Sequence, residues 1–99
     1  MSTLCLCRRA SKLVIGFDAA VEEIRKKTAG GVILASDVSP KTEKEVVFHA
    51  NKSGIEVLKA GFDMDEAKHA IGKRAGVFFV SDKGLFGSIK RLSDKHTEI

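Results

Sequence analysis

The sequence predicts an α/β fold, and more narrowly a three-layer α/β/α sandwich around a small central mixed sheet with mostly parallel strands. Short apolar runs rich in β-branched residues alternate along the chain with segments of helical periodicity. Within each run the apolar residues are nearly consecutive, which is typical of strands that helices bury on both faces. Strands that alternate with helices in this way favour a mainly parallel sheet.

Four strands are predicted from the apolar runs. The first, at residues 13–15, leads directly into Gly16, and the last, at residues 77–80, ends at the polar pair Ser81-Asp82. The other two runs lie at residues 32–35 and 55–58.

Two helices are predicted near the N-terminus. A short one occupies residues 3–10, before the first strand. The next begins after Gly16 and should stop near Gly30-Gly31, because glycine commonly ends helices. Its apolar stripe consists of Phe17, Ala20, Val21, Ile24 and Thr28.

Three later helices carry explicit start signals. Ser39-Pro40 is an N-cap followed by proline at the first helical position, and Gly54 closes that helix. A capping-box pattern starts at Asp63, and Gly72 ends the helix that follows. Asp82 caps the last helix. The predicted buried stripe of this helix is Leu85, Phe86, Ile89 and Leu92.

Length and composition limit the classes of protein that fit the chain. With 99 residues, 43% of them hydrophobic and 30% charged, we expect one domain, residues 1–99, with a modest core. No apolar run of about 18 residues predicts a membrane span, and the order of charged and apolar residues at the start does not match a secretory signal. Cys5 and Cys7 are too close in sequence for good disulfide geometry. We therefore expect reduced cysteines, no metal or other cofactor, and a cytoplasmic protein.

The net charge of +4 is unevenly distributed along the chain. Residues 1–30 contain six Lys or Arg against three acids, and residues 72–95 contain six against two, whereas residues 31–71 contain five against seven. If the two basic segments meet in the fold, they form one weakly basic face of the kind that binds phosphates. A general solubilising surface is the alternative explanation.

No combination of residues indicates catalysis. The sequence lacks a glycine-rich phosphate fingerprint, a nucleophile elbow and a histidine-containing metal motif. His49 and His69 each follow an acid by four residues, a spacing that predicts surface ion pairs. Asp37 and Asp82 follow predicted strands, where catalytic acids lie in α/β folds, but the capping of a turn or helix explains both.

Several segments resemble one known family in their order and spacing. They are CRRASKLVIGFDAAVEEIRK, GGVILASDVSPKTEKEV, IEVLKAG and EAKHAIGKRAGVFFVSDKGLFGSIKRL. Over about residues 4–92 the chain resembles the ribosomal protein family that contains the archaeal and eukaryotic large-subunit proteins L7Ae and L30e, and most of all its bacterial YlxQ-type branch. The resemblance implies a non-enzymatic protein on an α/β/α sandwich that binds structured RNA, either kink-turn or ribosomal. Partners would be that RNA and the ribosome, with no DNA and no membrane.

The resemblance also implies where RNA would lie. In the family it covers the strand–glycine–helix corner, here residues 16–22, the loop after the next strand, 36–38, and the loop before the last strand, 72–76. A helix N-terminus with free N–H groups suits a phosphate or a base edge. Arg8, Arg9 and Lys12 either add basic charge beside the corner or are solvated surface. The implied RNA-binding residues are Lys12, Gly16, Phe17, Asp18, Ala19, Glu22, Ser36, Asp37, Lys73, Arg74 and Ala75.

The corner departs from the family pattern. Kink-turn binders of the family follow the corner glycine with a small residue, then Asn-Glu that reads guanine edges, and a lysine three residues later. The matching positions are Phe17, Asp18, Ala19 and Glu22. An ionised Asp18 only accepts hydrogen bonds, Ala19 has no reading group, and Glu22 repels phosphate. We therefore expect altered or weakened RNA specificity.

Two points stay open at this stage. Phe17 either packs at the start of its helix or stacks on an unpaired base. The chain is either an RNA-binding protein or a protein-interaction module that kept the fold and lost RNA binding, since a fold does not fix function. The RNA hypothesis predicts steep salt dependence, and the protein-module hypothesis predicts an exposed apolar patch. An unrecognised small enzyme is a third alternative.

Overall fold

The computed structural model describes the backbone of residues 8–97 and the side chains of residues 8–90. Most of the helix predicted at residues 3–10 lies outside this range, as do Cys5 and Cys7. Arg8 and Arg9 are helical. Leu92, predicted to be buried, has no described side chain.

From residue 13 onward, four strands alternate with four helices, as the sequence predicts. In chain order they are β1 Leu13–Ile15, α1 Phe17–Arg25, β2 Gly31–Leu34, α2 Pro40–Ser53, β3 Glu56–Lys59, α3 Met64–Ile71, β4 Val77–Val80 and α4 Lys83–Thr97.

The sheet is mixed, as predicted, but the prediction that its strands are mostly parallel is wrong. The strand order is β1-β4-β2-β3. Only β2 and β3 pair in parallel, with Gly31 opposite Glu56, whereas β4 is antiparallel to both β1 and β2. The strands β1, β2 and β3 do run in one direction, but β4 inserts between β1 and β2 in the opposite direction. This insertion is a long-range pairing that the local alternation of strands and helices does not encode.

Helices cover both faces of the sheet, which confirms the three-layer sandwich. On one face, α1 and α2 pack against inward-pointing residues of β2 and β4 in a cluster built from Ala20, Ile24, Val32, Leu34, Val38, Val46, Ala50, Val77 and Phe79. On the other face, α3 and α4 pack on a second cluster that contains Ile33, Ala67, Ile71, Phe78, Val80 and Phe86. The two central strands β2 and β4 are buried at every position, because helices cover both of their faces.

The end of α1 differs from the prediction. The helix ends at Arg25 rather than near Gly30-Gly31, because Lys27 takes a left-handed conformation with φ of 57°. Lys27 N–H donates to Ile24 O at 3.0 Å and Thr28 N–H donates to Glu23 O at 3.2 Å, the bond pattern of a Schellman motif. A lysine therefore occupies the position that usually favours glycine.

Gly30 and Gly31 serve close packing instead of ending a helix. A Cβ on Gly30 would lie 1.8 Å from Val80 O, and one on Gly31 would lie 2.4 Å from the Phe86 ring. Neither neighbour has room to move, since one is strand backbone and the other a buried ring. Both glycines are thus required by the sheet and by α4 above it.

The predicted start signals of the other helices are confirmed. The Ser39 hydroxyl accepts from Thr42 N at 3.2 Å with Pro40 at the first position of α2. Asp63 and Glu66 form the reciprocal capping box of α3. Asp82 accepts from Leu85 N at 3.0 Å and so caps α4.

Candidate nucleic-acid interface

The corner between β1 and α1 depends on the conformation of Gly16. Its φ of 108° and ψ of 156° lie in a region that is essentially restricted to glycine, although a Cβ would meet nothing within 4 Å. Gly16 N–H donates to Val77 O at 2.9 Å, and its carbonyl accepts from Ala20 N at 3.0 Å. The residue therefore closes the β1–β4 ladder and starts the helix at the same time.

The first turn of α1 has no side-chain cap. Backbone N–H groups at a helix start have no partner inside the helix, so they are oriented towards solvent or a ligand. Asp18 lies exposed in this turn, where a carboxylate interacts favourably with the helix dipole. Ala19 is half-buried.

Phe17 packs rather than projecting into solvent. It is half-buried and contacts the core cluster on the α1–α2 face of the sheet. This answers the question that the sequence left open in favour of packing at the helix start. Phe17 is therefore less accessible to a nucleobase than an exposed ring would be.

The loop after β2 is fixed by three bonds. Ala35 N–H donates to Gly76 O at 2.9 Å, and Ser36 N–H donates to Phe62 O at 2.8 Å. Asp37 Oδ1 accepts from Met64 N at 3.0 Å, so its carboxylate holds the start of α3. The structure thus confirms a capping role for Asp37, while Ser36 remains exposed.

The loop before β4 begins at Gly72, which ends α3 with φ of 80°. Lys73 is exposed. It forms no ion pair with a carboxylate of the described residues. Arg74 Nε is 3.0 Å from Asp65 Oδ1, an exposed pair that contributes little to stability. Ala75 packs on the second core cluster.

These three segments meet at one edge of the sheet. Gly76 and Val77 accept hydrogen bonds from Ala35 and Gly16, so the corner and both loops are bonded neighbours. A Cβ on Gly76 would lie 3.1 Å from Val38 Cγ2, which shows how closely the two loops approach. We call the surface formed by Gly16, residues 36–38 and residues 72–76 the loop edge.

Charges near the loop edge are both positive and negative. A Cβ on Gly72 would lie 3.8 Å from Arg8 Nη1, so Arg8 brings positive charge beside Lys73. Glu22 is 3.7 Å from Lys26 Nζ, which also lies 3.7 Å from Glu23. The repulsive charge of Glu22 is therefore partly balanced one turn later on the same helix.

Lys12 does not lie at the loop edge. It precedes β1, and its carbonyl accepts from Ser81 N at 2.8 Å, at the far end of the β1–β4 pair from Gly16. The structure thus brings Gly16 and the loops at residues 36–38 and 72–76 together, but not Lys12. The sequence analysis missed three contacts: the Glu22–Lys26 pair, the Asp65–Arg74 pair and the approach of Arg8 to Gly72. Only the Glu22–Lys26 pair could have been predicted from the sequence, because its two residues are four apart on one helix.

The two histidines do not form the predicted ion pairs. His69 Nδ1 contacts the backbone carbonyl of Asp65 at 2.8 Å, and the Asp65 carboxylate accepts from Arg74 Nε instead. His49 lies edge-on to the Phe48 ring, with centroids 5.5 Å apart, and Glu45 makes no ion pair with it. Within the described residues, no group of three or more His, Cys, Asp and Glu could hold a metal ion, and no helix could cross a membrane.

Comparison with known proteins identifies the family. Residues 1–84 match the ribosomal protein L7Ae/L30e/S12e/Gadd45 family. The chain belongs to this family. Two L7Ae-family relatives are named RNA-binding protein YlxQ: that of Enterococcus faecium is 30% identical over 93% of this chain and 88% of its own length. That of Bacillus subtilis is 31% identical over 92% and 91%.

Solved structures of the same fold support this placement. A protein of unknown function from Bacillus halodurans is 30% identical and superposes with a TM-score of 0.86 over 94% of both chains. The 15.5kD RNA binding protein of Giardia lamblia superposes with a TM-score of 0.73 over 91% of this chain and 83% of its own, at 13% identity. The second match shows the fold alone.

Proposed function

We propose that this L7Ae-family chain is a non-enzymatic, cytoplasmic RNA-binding protein that contacts structured RNA, of kink-turn or ribosomal type, through the loop edge. The observation that carries the proposal is the hydrogen-bonded junction of the Gly16 corner with the start of β4, which brings the uncapped turn of α1 beside the basic loop. Membership in the family and the names of the two YlxQ relatives support RNA as the partner.

Groups at and beside the loop edge have physical roles in this proposal. The N–H groups of the first turn of α1 bind a phosphate or a base edge. Lys73 and Arg8 neutralise backbone phosphates and release counterions, which makes binding salt-dependent. Arg74 is available only after its exposed pair with Asp65 opens, at small cost.

Guanine reading in the usual family manner is not part of the proposal. Asp18 and Ala19 stand where the family has Asn-Glu, and Glu22 stands where it has lysine. The Glu22–Lys26 pair reduces the repulsion of phosphate but does not replace a lysine at the corner. The proposed specificity is therefore for RNA shape and phosphate positions rather than for base edges.

A filter-binding assay tests the proposal with a kink-turn RNA and a straight duplex at two salt concentrations. We expect tighter binding to the kink-turn RNA and a steep loss of affinity at the higher salt concentration. Lys73→Ala and Arg8→Ala should each weaken binding by roughly threefold to tenfold and reduce the salt slope by about one. The matched control is Lys83→Ala, because Lys83 is exposed at the opposite end of β4.

The second candidate is a protein-interaction module on the same fold. It is favoured by one observation, an exposed Phe48 on α2. Equal and salt-insensitive affinity for the two RNAs, unchanged in the Lys73 and Arg8 variants, would reject the loop edge as an RNA site and leave this candidate.

A further inference from the structure

A second surface, on the outer side of α2, has the composition of a nucleotide-stacking site. The Phe48 side chain on α2 is 61% exposed, whereas the other large hydrophobic residues of the described side chains are buried or half-buried. Exposing an aromatic ring to water costs free energy that a purely structural residue would not need to lose. Phe48 points away from the core that Val46 and Ala50 of the same helix form.

The ring borders an open groove on the outer side of α2. Pro40, Glu43, Lys44, Val47 and Phe48 line it, and its volume is about 500 Å³. All other lining residues precede Phe48 in the helix, whereas Lys52, whose ammonium lies 5.7 Å from the ring centroid, follows it by one turn. The groove therefore extends from Phe48 towards the start of α2, whereas Lys52 lies on the turn that follows Phe48.

The charge of this surface is predominantly positive. Lys41, Lys44 and Lys52 form no ion pair with a described carboxylate, while Glu43, in the groove wall, is paired with Lys59 at 2.9 Å. Glu45 is the remaining exposed acid of the helix. The result is an aromatic ring near lysines that form no ion pair with a described carboxylate, a combination that binds both the face of a base and the adjoining phosphates.

The composition favours nucleic acid over a protein partner. Protein interfaces have an apolar centre from which lysine is depleted, whereas here Lys44 lines the groove and Lys52 lies over the ring. The position agrees with this preference, because α2 starts at Pro40, directly after the residue 36–38 loop of the loop edge. From Pro40 to Phe48 the helix rises about 12 Å, so a strand that leaves the loop edge along α2 reaches the ring.

We propose that the groove at Phe48 binds a single-stranded segment of RNA: a base stacks on the Phe48 ring, and Lys44 and Lys52 contact the phosphates on either side of it. The inference takes RNA as the ligand from the proposed function but uses different residues. It assigns the protein two contacts with one RNA, a structured element at the loop edge and an unpaired flank along α2.

Proton NMR of the Phe rings tests the stacking contact directly. Titration of the whole protein with a single-stranded oligouridine should shift the Phe48 ring resonances upfield and leave those of buried Phe78 and Phe79 unchanged. This probe needs no structured RNA, so the result stands even if binding at the loop edge fails. Unchanged Phe48 resonances at saturating oligouridine would overturn the inference.

Affinity measurements separate a stacking surface from a general apolar one. With a kink-turn RNA that carries a single-stranded uridine extension, Phe48→Leu and Phe48→Ala should each weaken binding by about fivefold or more, whereas Phe48→Tyr should retain it. Lys44→Ala should lower affinity for the extended RNA, and Lys83→Ala should not. Equal binding by Phe48→Leu and the native protein would contradict stacking and point to an apolar protein partner.

The affinity of the same variants should also be measured for the kink-turn RNA without its single-stranded extension. The Phe48 and Lys44 variants should bind this shorter RNA as the native protein does, because the loop edge is intact. Losses of equal size with and without the extension would also overturn the inference, since the groove would then not be a separate contact.

Discussion

Helices α1 and α2 begin at the same edge of the sheet, but their ends are built in opposite ways. Helix α2 starts with the Ser39 hydroxyl bound to Thr42 N and ends at Gly54 with φ of 69°. Helix α1 starts at Gly16 without any side-chain cap, and Lys27, with φ of 57°, takes the left-handed position at its end. Helix α1 thus has neither a side-chain cap at its start nor a glycine at its end.

The difference separates local from tertiary causes. Helix α2 is delimited by its own residues, and so is α3 with its capping box and Gly72. Helix α1 is positioned instead by the bond from Gly16 to Val77 on β4, and Gly16 has no side chain that could cap its first turn. This uncapped turn is where we propose that RNA binds.

Restoring the family residues at the start of α1 should have the largest effect. The triple variant Asp18→Asn, Ala19→Glu, Glu22→Lys should bind a kink-turn RNA at least about 30-fold more tightly, roughly 2 kcal/mol, because two base contacts and one phosphate contact are regained. Filter binding against the native protein measures the gain. If affinity does not increase while the fold is intact by circular dichroism, RNA does not dock at this corner.

Substituting the corner glycine should be next in size. Gly16→Ala should destabilise the protein by about 1–3 kcal/mol in urea unfolding, because φ of 108° is strained for alanine although space is available. The control is Gly87→Ala, which also has open space but lies inside α4. That change should be neutral or stabilising by up to about 1 kcal/mol. Equal losses of unfolding free energy in the two variants would show that the backbone conformation of Gly16 does not require glycine.

Substitutions at the starts of the two helices should have smaller effects on stability, and here the larger loss is expected for α2. Ser39→Ala should lower the free energy of unfolding by about 1 kcal/mol, since it removes the cap of α2. Asp18→Ala, in the first turn of uncapped α1, should cost only a few tenths of a kcal/mol through the helix dipole. Paired urea titrations measure both, and a larger loss for Asp18→Ala would mean that its side chain caps α1 in solution.

A substitution at the C-terminal end of α1 should have the smallest effect on stability. Lys27→Gly should stabilise the protein by about 0.5–1 kcal/mol, because glycine takes the left-handed conformation without a Cβ penalty. The matched change Lys26→Gly, at a right-handed position, should destabilise by a similar amount. The reverse order in thermal melts would contradict the Schellman end at Lys27.

Much of the candidate site could be expected from the sequence because the family resemblance assigns its three segments. The resemblance places Gly16, residues 36–38 and residues 72–76 at one site, and hydrogen bonds through Gly76 and Val77 show that they are neighbours. Lys12 was assigned to the site by its closeness in sequence to Gly16. Because β1 is extended, Lys12 and Gly16 are about 13 Å apart, and Lys12 lies at the opposite end of this strand from the corner.

Other features could not be predicted because they depend on contacts between distant segments. Asp65 binds Arg74 rather than His69 because the loop after α3 turns back towards the start of that helix. Phe48 is two residues from both Val46 and Ala50, so it lies on the opposite face of α2 from these buried residues. Only the packing of α2 on the sheet shows which of its apolar residues remain uncovered.

By itself, the sequence determined the alternation of strands and helices, the capped ends of α2, α3 and α4, and the residues available to the corner, because each follows from backbone preferences and hydrogen bonds within a few residues. The tertiary structure alone decided that β4 inserts between β1 and β2, that Gly30 and Gly31 are needed for close packing, and that Phe48 is exposed. These depend on burying apolar surface between segments far apart in the chain, and that free energy is defined only once the layers have packed.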